Sequence, residues 1–101
     1  MQVKANAPRF SLTLPMRYRP LGQTQWRSAK TANVSSSGVL FLASERLSTG
    51  QQLEIEISMT EALFKPSRII ATSEVVRQRS GTHLLTAVQH REYRMVDGDL
   101  E

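Results

Sequence analysis

Apolar residues in this chain recur at every second position, in short runs separated by turn formers. Phe10, Leu12, Leu14, Met16 and Tyr18 alternate with Ser11, Thr13, Pro15 and Arg17. Leu53, Ile55, Ile57 and Met59 alternate with Glu54, Glu56 and Ser58. A two-residue period puts one set of side chains on one face of a strand, so both runs are read as strands with one buried side. Pro15 cannot donate to a ladder, which predicts a sheet edge or a bulge there.

Four further strands follow from weaker signals. Val39–Leu42 is a short continuous apolar run, Gln25–Ala32 surrounds Trp26, and Arg68–Gln78 is rich in Ile and Val. His83–Gln89 follows across Arg79-Ser80-Gly81-Thr82, a segment that reads as a hairpin connection. Gly22 and Gly50 mark other turns. Only Thr60–Phe64 and Arg91–Val96 have helical character, and both are too short to stand alone. Six short strands with little helix predict an all-β fold, a small six-stranded antiparallel barrel or sandwich.

The 101 residues suffice for one domain. The expected layout is a flexible lead-in over residues 1–8, a barrel over 9–96 and a disordered polar tail over 97–101. The last two residues of that tail, Leu100-Glu101, match a cloning remnant. No apolar run reaches the roughly 18–20 residues of a membrane span, so no membrane insertion is expected. There is no cysteine. Disulfides, thiolate metal sites and cysteine nucleophiles are excluded, and the count matches a reducing, cytoplasmic setting.

Charge is distributed unevenly. Lys4, Arg9, Arg17, Arg19, Arg27 and Lys30 precede the first acidic residue, Glu45. A one-signed segment favours an anionic partner such as a phosphate, a nucleotide, a nucleic acid or an acidic lipid. It is equally consistent with a merely soluble basic surface.

No catalytic constellation is present in the sequence. His83 and His90 lack carboxylates at a pairing distance and read as two surface histidines. Glu54 and Glu56 share a strand face but read as alternating solvent-facing carboxylates. The serines at 35–37 lack the G-x-S-x-G frame of a nucleophile elbow. No Gly-rich phosphate loop, EF-hand or His-rich metal motif occurs, so neither a metal nor a cofactor is expected. Trp26, Phe10 and Phe41 could stack bases, but with six aromatics in all, core packing is the favoured reading of each.

One polar segment stands apart, Asn33-Val34-Ser35-Ser36-Ser37-Gly38, which reads as a tight turn between two apolar strands. The Asn33 amide can donate and accept together, Ser35 adds a hydroxyl, and Gly38 permits positive φ and close approach of a ligand. Amide plus hydroxyl can match a guanine edge. Ordinary turn formers have the same composition, so a polar loop and a ligand-binding corner both remain open on these residues alone.

The segment matches N-x-S-x-x-G, and its surroundings resemble the PilZ family. Arg9 opens the first strand. Asn33-x-Ser35-x-x-Gly38 is followed by Val-Leu-Phe, Leu47-Ser-Thr-Gly50-Gln-Gln-Leu53 leads into Glu-Ile-Glu-Ile, and Glu74-Val-Val-Arg77 closes a later strand. The resemblance covers nearly the whole chain. It implies a six-stranded barrel of the split-barrel type and a non-enzymatic receptor for the bacterial second messenger cyclic di-GMP. Such a receptor would relay its ligand to a protein partner, in motility or exopolysaccharide control.

The family motif pairs R-x-x-x-R with D/N-x-S-x-x-G some twenty-odd residues later. Arg9, 24 positions before Asn33, fits the second arginine. By this resemblance Arg9 grips phosphate and stacks on guanine. Asn33 reads a guanine edge, Ser35 supports it, Gly38 leaves room, and Arg77 adds a cation. The first arginine is missing, because position 5 is Ala5. Losing one charge-assisted contact costs roughly 1.5–3 kcal/mol. A degenerate PilZ domain that binds another protein instead of the nucleotide is therefore the alternative. Nucleic-acid binding rests on the net charge of +4 alone and is the least favoured reading.

Overall fold

The computed structural model describes residues 8–81 and 83–100. The expected lead-in, Pro8 apart, lies outside the described residues, as do Thr82 of the expected hairpin turn and Glu101.

Among the described residues, six antiparallel strands close into a barrel. They are β1 (Pro15–Pro20), β2 (Arg27–Val34), β3 (Gly38–Ala43), β4 (Gln52–Ser58), β5 (Ser67–Arg79) and β6 (Leu84–Asp97), with one short helix, α1 (Thr60–Leu63), between β4 and β5. Around the barrel the order is β1-β2-β3-β6-β5-β4.

The two-residue period explains the interior. Met16, Tyr18 and Pro20 of β1 stand opposite Ile57, Ile55 and Leu53 of β4. All six are buried, and with Phe41, Val75 and Val88 they form the centre of the core. The Tyr18 and Phe41 rings pack 5.1 Å apart. The Tyr18 hydroxyl accepts a hydrogen bond from the Ser44 amide at 3.2 Å, so this buried polar atom is satisfied.

The first predicted strand is shorter than its periodicity suggests. Before Pro15, among the described residues, Phe10 alone forms a bridge, antiparallel to Val34, while the Leu14 carbonyl accepts from the Thr31 amide at 3.0 Å. The reason is Thr31. Its hydroxyl accepts from the Leu14 amide at 2.9 Å and donates to the Leu12 carbonyl at 2.6 Å. A side chain thus replaces ladder partners where β2 shifts register between Thr31 and Asn33. Leu14 is nonetheless buried and Leu12 packs on the core, which preserves the alternation without the strand. Nor does Pro15 mark an edge. It opens β1 opposite Lys30, and pairing with β4 begins one residue later, so its missing N–H interrupts no ladder.

Arg91–Val96 is strand, not helix. β6 continues through it to Asp97, pairing with β5 after a register shift between Thr72 and Ser73. That shift lets Tyr93 and Met95 stand opposite Ala71 and Ile69, extending the apolar face.

Candidate ligand-binding site

The sequence run 33–38 splits between two strands and the turn joining them. Asn33 and Val34 end β2 and Gly38 begins β3, with Val34 opposite Val39. Ser35 organises the turn. Its amide donates to the Gly38 carbonyl at 2.9 Å, and its Oγ accepts from the Ser37 and Gly38 amides, each at 3.2 Å. The residue is buried, so its hydroxyl holds the corner in shape and is not displayed to solvent.

Gly38 is needed for a reason other than the expected one. It does not adopt positive φ; that property belongs to Gly22, Gly50 and Gly98. A Cβ on Gly38 would instead overlap the carbonyl oxygen of Val88 on β6.

Arg9, Ser35, Gly38 and Arg77 line one shallow cavity of about 180 Å³, together with Leu40 and Gln89. Four of the five residues singled out in the sequence therefore converge. The fifth, Asn33, is outside the lining but stands directly across β2–β3 from Leu40. Arg77 reaches the cavity because β5 shifts register between Val75 and Arg77, which places it opposite Ala87. Gln89, opposite Gly38, adds an amide to the cavity floor. No motif marked Gln89, and its place follows only from the β3–β6 register.

Three arginines of the basic segment, Arg17, Arg19 and Arg27, are neutralised. Register sets Arg17 opposite Glu56 and Arg19 opposite Glu54. The pairs close at 2.9 and 2.5 Å, and Arg27 meets Glu45 at 3.1 Å. Arg68 adds a second cation 3.6 Å from Glu56. The acidic side chains expected to face solvent are thus counter-ions to the acid-free half of the chain. Among the described residues, Arg9 and Arg77 pair with no carboxylate. Lys30, Arg46, Lys65, Arg79 and Arg94 are also without a carboxylate partner among the described residues, so what sets this corner apart is that two uncompensated arginines line one cavity.

His83 is exposed, as expected, but His90 is not a surface histidine. It is half-buried, its Nδ1 lies 2.8 Å from Ser73 Oγ, and its Nε2 is buried without a partner. Burial pushes its pKa down to about 4. Among the described residues no cluster of His, Asp or Glu could hold a metal ion, and no helix is long and apolar enough to cross a membrane.

A closed six-stranded barrel with a serine turn and two arginines lining one corner defines a small β-barrel domain. The PilZ domain model matches residues 4–97, and the chain belongs to that family. Among solved structures, the Bacillus subtilis inhibitor of motility MotI/DgrA is similar, with a TM-score of 0.72 at 15% identity. The match covers 91% of this chain and 44% of that one, so the present chain spans less than half of its relative. Among curated protein sequences, none matches significantly.

Proposed function

We propose that this PilZ domain is a non-enzymatic, cytoplasmic receptor module that binds cyclic di-GMP over the Arg9–Arg77 cavity and relays that binding to a protein partner. The observation that carries this reading is the convergence of Arg9 and Arg77 on the Ser35–Gly38 corner, with no carboxylate paired to either among the described residues. Two guanidinium forks suit the two phosphates of the ligand, and their planar faces suit stacking on guanine. Gln89, which lines the same cavity, would supply an amide edge, and Asn33, paired across β2–β3 with Leu40 of the lining, would supply a second only by turning toward the ligand. The name of the structural relative, an inhibitor of motility, is consistent with an output in motility control.

A cavity of about 180 Å³ is smaller than the roughly 300–1,000 Å³ of an enclosing ligand pocket. One guanylate unit would sit in it and the other would lie across the rim, so affinity would rest on the arginines. Calorimetric titration with cyclic di-GMP, combined with amide chemical shifts, tests the proposal. Heat of binding together with shifts at Ser35–Gly38, Arg77 and Gln89 is expected. No heat at about 100 μM protein, with unmoved Asn33–Gly38 amides, rejects it.

Ala5, where the family motif has arginine, favours a second reading in which the barrel persists without the nucleotide and serves as a protein-interaction module. Ala5→Arg separates the two. Affinity that appears only in that variant assigns the native chain to the second reading.

A further inference from the structure

The strand β6 outruns its neighbour. β3 pairs with it from Leu84 to Gln89 and then stops, whereas β5 continues pairing to Asp97. The last backbone bond on the β3 side is the His90 amide donating to the Ser37 carbonyl at 2.8 Å. From Arg91 to Asp97, among the described residues, β6 is bonded to β5 on one side and faces no strand on the other. The corresponding overhang of β5 is covered. The Val75 amide donates to the Gln51 carbonyl, the Gly50 amide donates to the Val75 carbonyl, and the Gln78 side chain bonds the backbone of Glu45 and Leu47. Among the described residues, one overhang is covered and the other faces no strand.

An unpaired row of N–H and C=O groups is a template for another strand. The side chains along this one are patterned. Tyr93 and Met95 lie opposite Ala71 and Ile69 on the apolar face, and each is 51% exposed. Phe10, 58% exposed, and Tyr93 both border an apolar hollow of about 210 Å³ at the mouth of the barrel. Glu92 and Arg94 alternate with these residues, so one acid and one base flank Tyr93. Arg91 is already paired with Glu74.

We propose that this free edge pairs antiparallel with the same edge of a second copy of the chain, about a two-fold axis at Tyr93. In that register Glu92 of each copy stands opposite the partner's Arg94, and the two Tyr93 rings meet. Opposite charges and aromatic pairs are the favourable cross-strand combinations. The pattern acid-aromatic-base becomes its own complement when reversed, so the edge selects itself. Centring the axis on Glu92 or Arg94 would instead set like charges face to face, which discriminates against neighbouring registers. A strand of unrelated sequence would satisfy the backbone but would not be selected in this way. The interface is two-fold and isologous, and it closes at the dimer.

Sedimentation velocity over a concentration series up to about 1 mM tests the proposal. The native chain should show a reversible monomer–dimer equilibrium. Glu92→Arg and Arg94→Glu, both at exposed positions, should each weaken the dimer about tenfold or more, because symmetry repeats every lost pair. An equimolar mixture of the two single variants should dimerise again, since each then supplies the charge that the other lacks. A native chain that stays monomeric throughout overturns the proposal. So does a dimer indifferent to both reversals, or a mixture no more associated than its components.

Discussion

Gly38 passes beneath the carbonyl oxygen of Val88 so closely that a side chain on the glycine would occupy the space of that oxygen. The contact fixes the spacing of β3 and β6 at the point where the serine turn meets the barrel. The obstacle is backbone, so nothing flexible can give way. Gly38→Ala should cost about 2–3 kcal/mol in urea unfolding, as overpacking in a rigid site does. Gly50→Ala is the contrast, because Gly50 has φ +91° with open space around it. Its cost should be the left-handed backbone penalty alone, about 1 kcal/mol. Equal losses at the two positions would contradict the contact as the reason for Gly38.

Arg9 and Arg77 should matter for ligand and little for folding, since both are exposed. Arg77→Ala and Arg9→Ala should each weaken cyclic di-GMP binding about tenfold to a hundredfold, the value of one charge-assisted contact. Arg9→Lys should recover only part of the loss, because an ammonium keeps the charge and discards the bidentate fork. Arg17→Ala removes an equal charge that Glu56 already compensates, and it should leave affinity unchanged in the same calorimetric titration. An Arg17→Ala loss as large as that of Arg77→Ala would mean that overall charge, not this corner, attracts the ligand.

How much of this could be read in advance depended on whether the signal was local. β4 was legible because Leu53, Ile55 and Ile57 bury one face while Glu54 and Glu56 occupy the other, and five residues carry the pattern unaided. Arg91–Val96 misled because Arg, Glu and Met are good helix formers and the segment is only six residues long. Its strand identity is conferred by β5, whose partner residues Thr72 to Arg68 lie 20 to 28 positions away in the chain. The corner was legible through Arg9 and the Asn33–Gly38 run. Gln89 was not, since only the β3–β6 register brings it opposite Gly38. The pairing of Arg17 and Arg19 with Glu56 and Glu54 was hidden for the same reason. An acid-free stretch looks basic until the sheet supplies its counter-ions.

Trp26 lies just before β2, with the guanidinium carbons of Arg17 and Arg19 at 4.4 and 4.2 Å from its ring centroid. The indole covers two arginines that Glu56 and Glu54 hold in place from β4. Each cation–π contact at a partly exposed site is worth about 0.5–1 kcal/mol. Trp26→Leu keeps an apolar side chain and removes the ring quadrupole, so it should lower stability by about 1–2 kcal/mol. Circular dichroism is the appropriate readout, because the chain has one tryptophan and the variant loses it. No measurable change would mean that the indole is merely resting on the ion-pair ladder.

His90 should make stability fall with acid in a window set by its own two titrations. Its Nδ1 engages Ser73 Oγ, and its Nε2 is buried among apolar neighbours with no partner. A second proton would place an unpaired charge in that environment, and desolvation accordingly lowers the folded pKa from 6.5 to about 4. Between those values the unfolded chain holds a proton that the folded chain does not. Lowering the pH therefore favours unfolding across the window. The contribution of the neutral imidazole is complete above about pH 6.5, declines as pH falls toward 4, and changes no further below it. Its full size is up to about 3 kcal/mol. Urea midpoints measured from pH 7 to pH 4.5 should fall more steeply for the native chain than for His90→Gln, which keeps a polar side chain and cannot titrate. The carboxylates are common to both proteins, so the difference in slope isolates the imidazole. Parallel slopes would show that His90 accepts its proton in the folded barrel without penalty, by turning outward or by admitting water to Nε2.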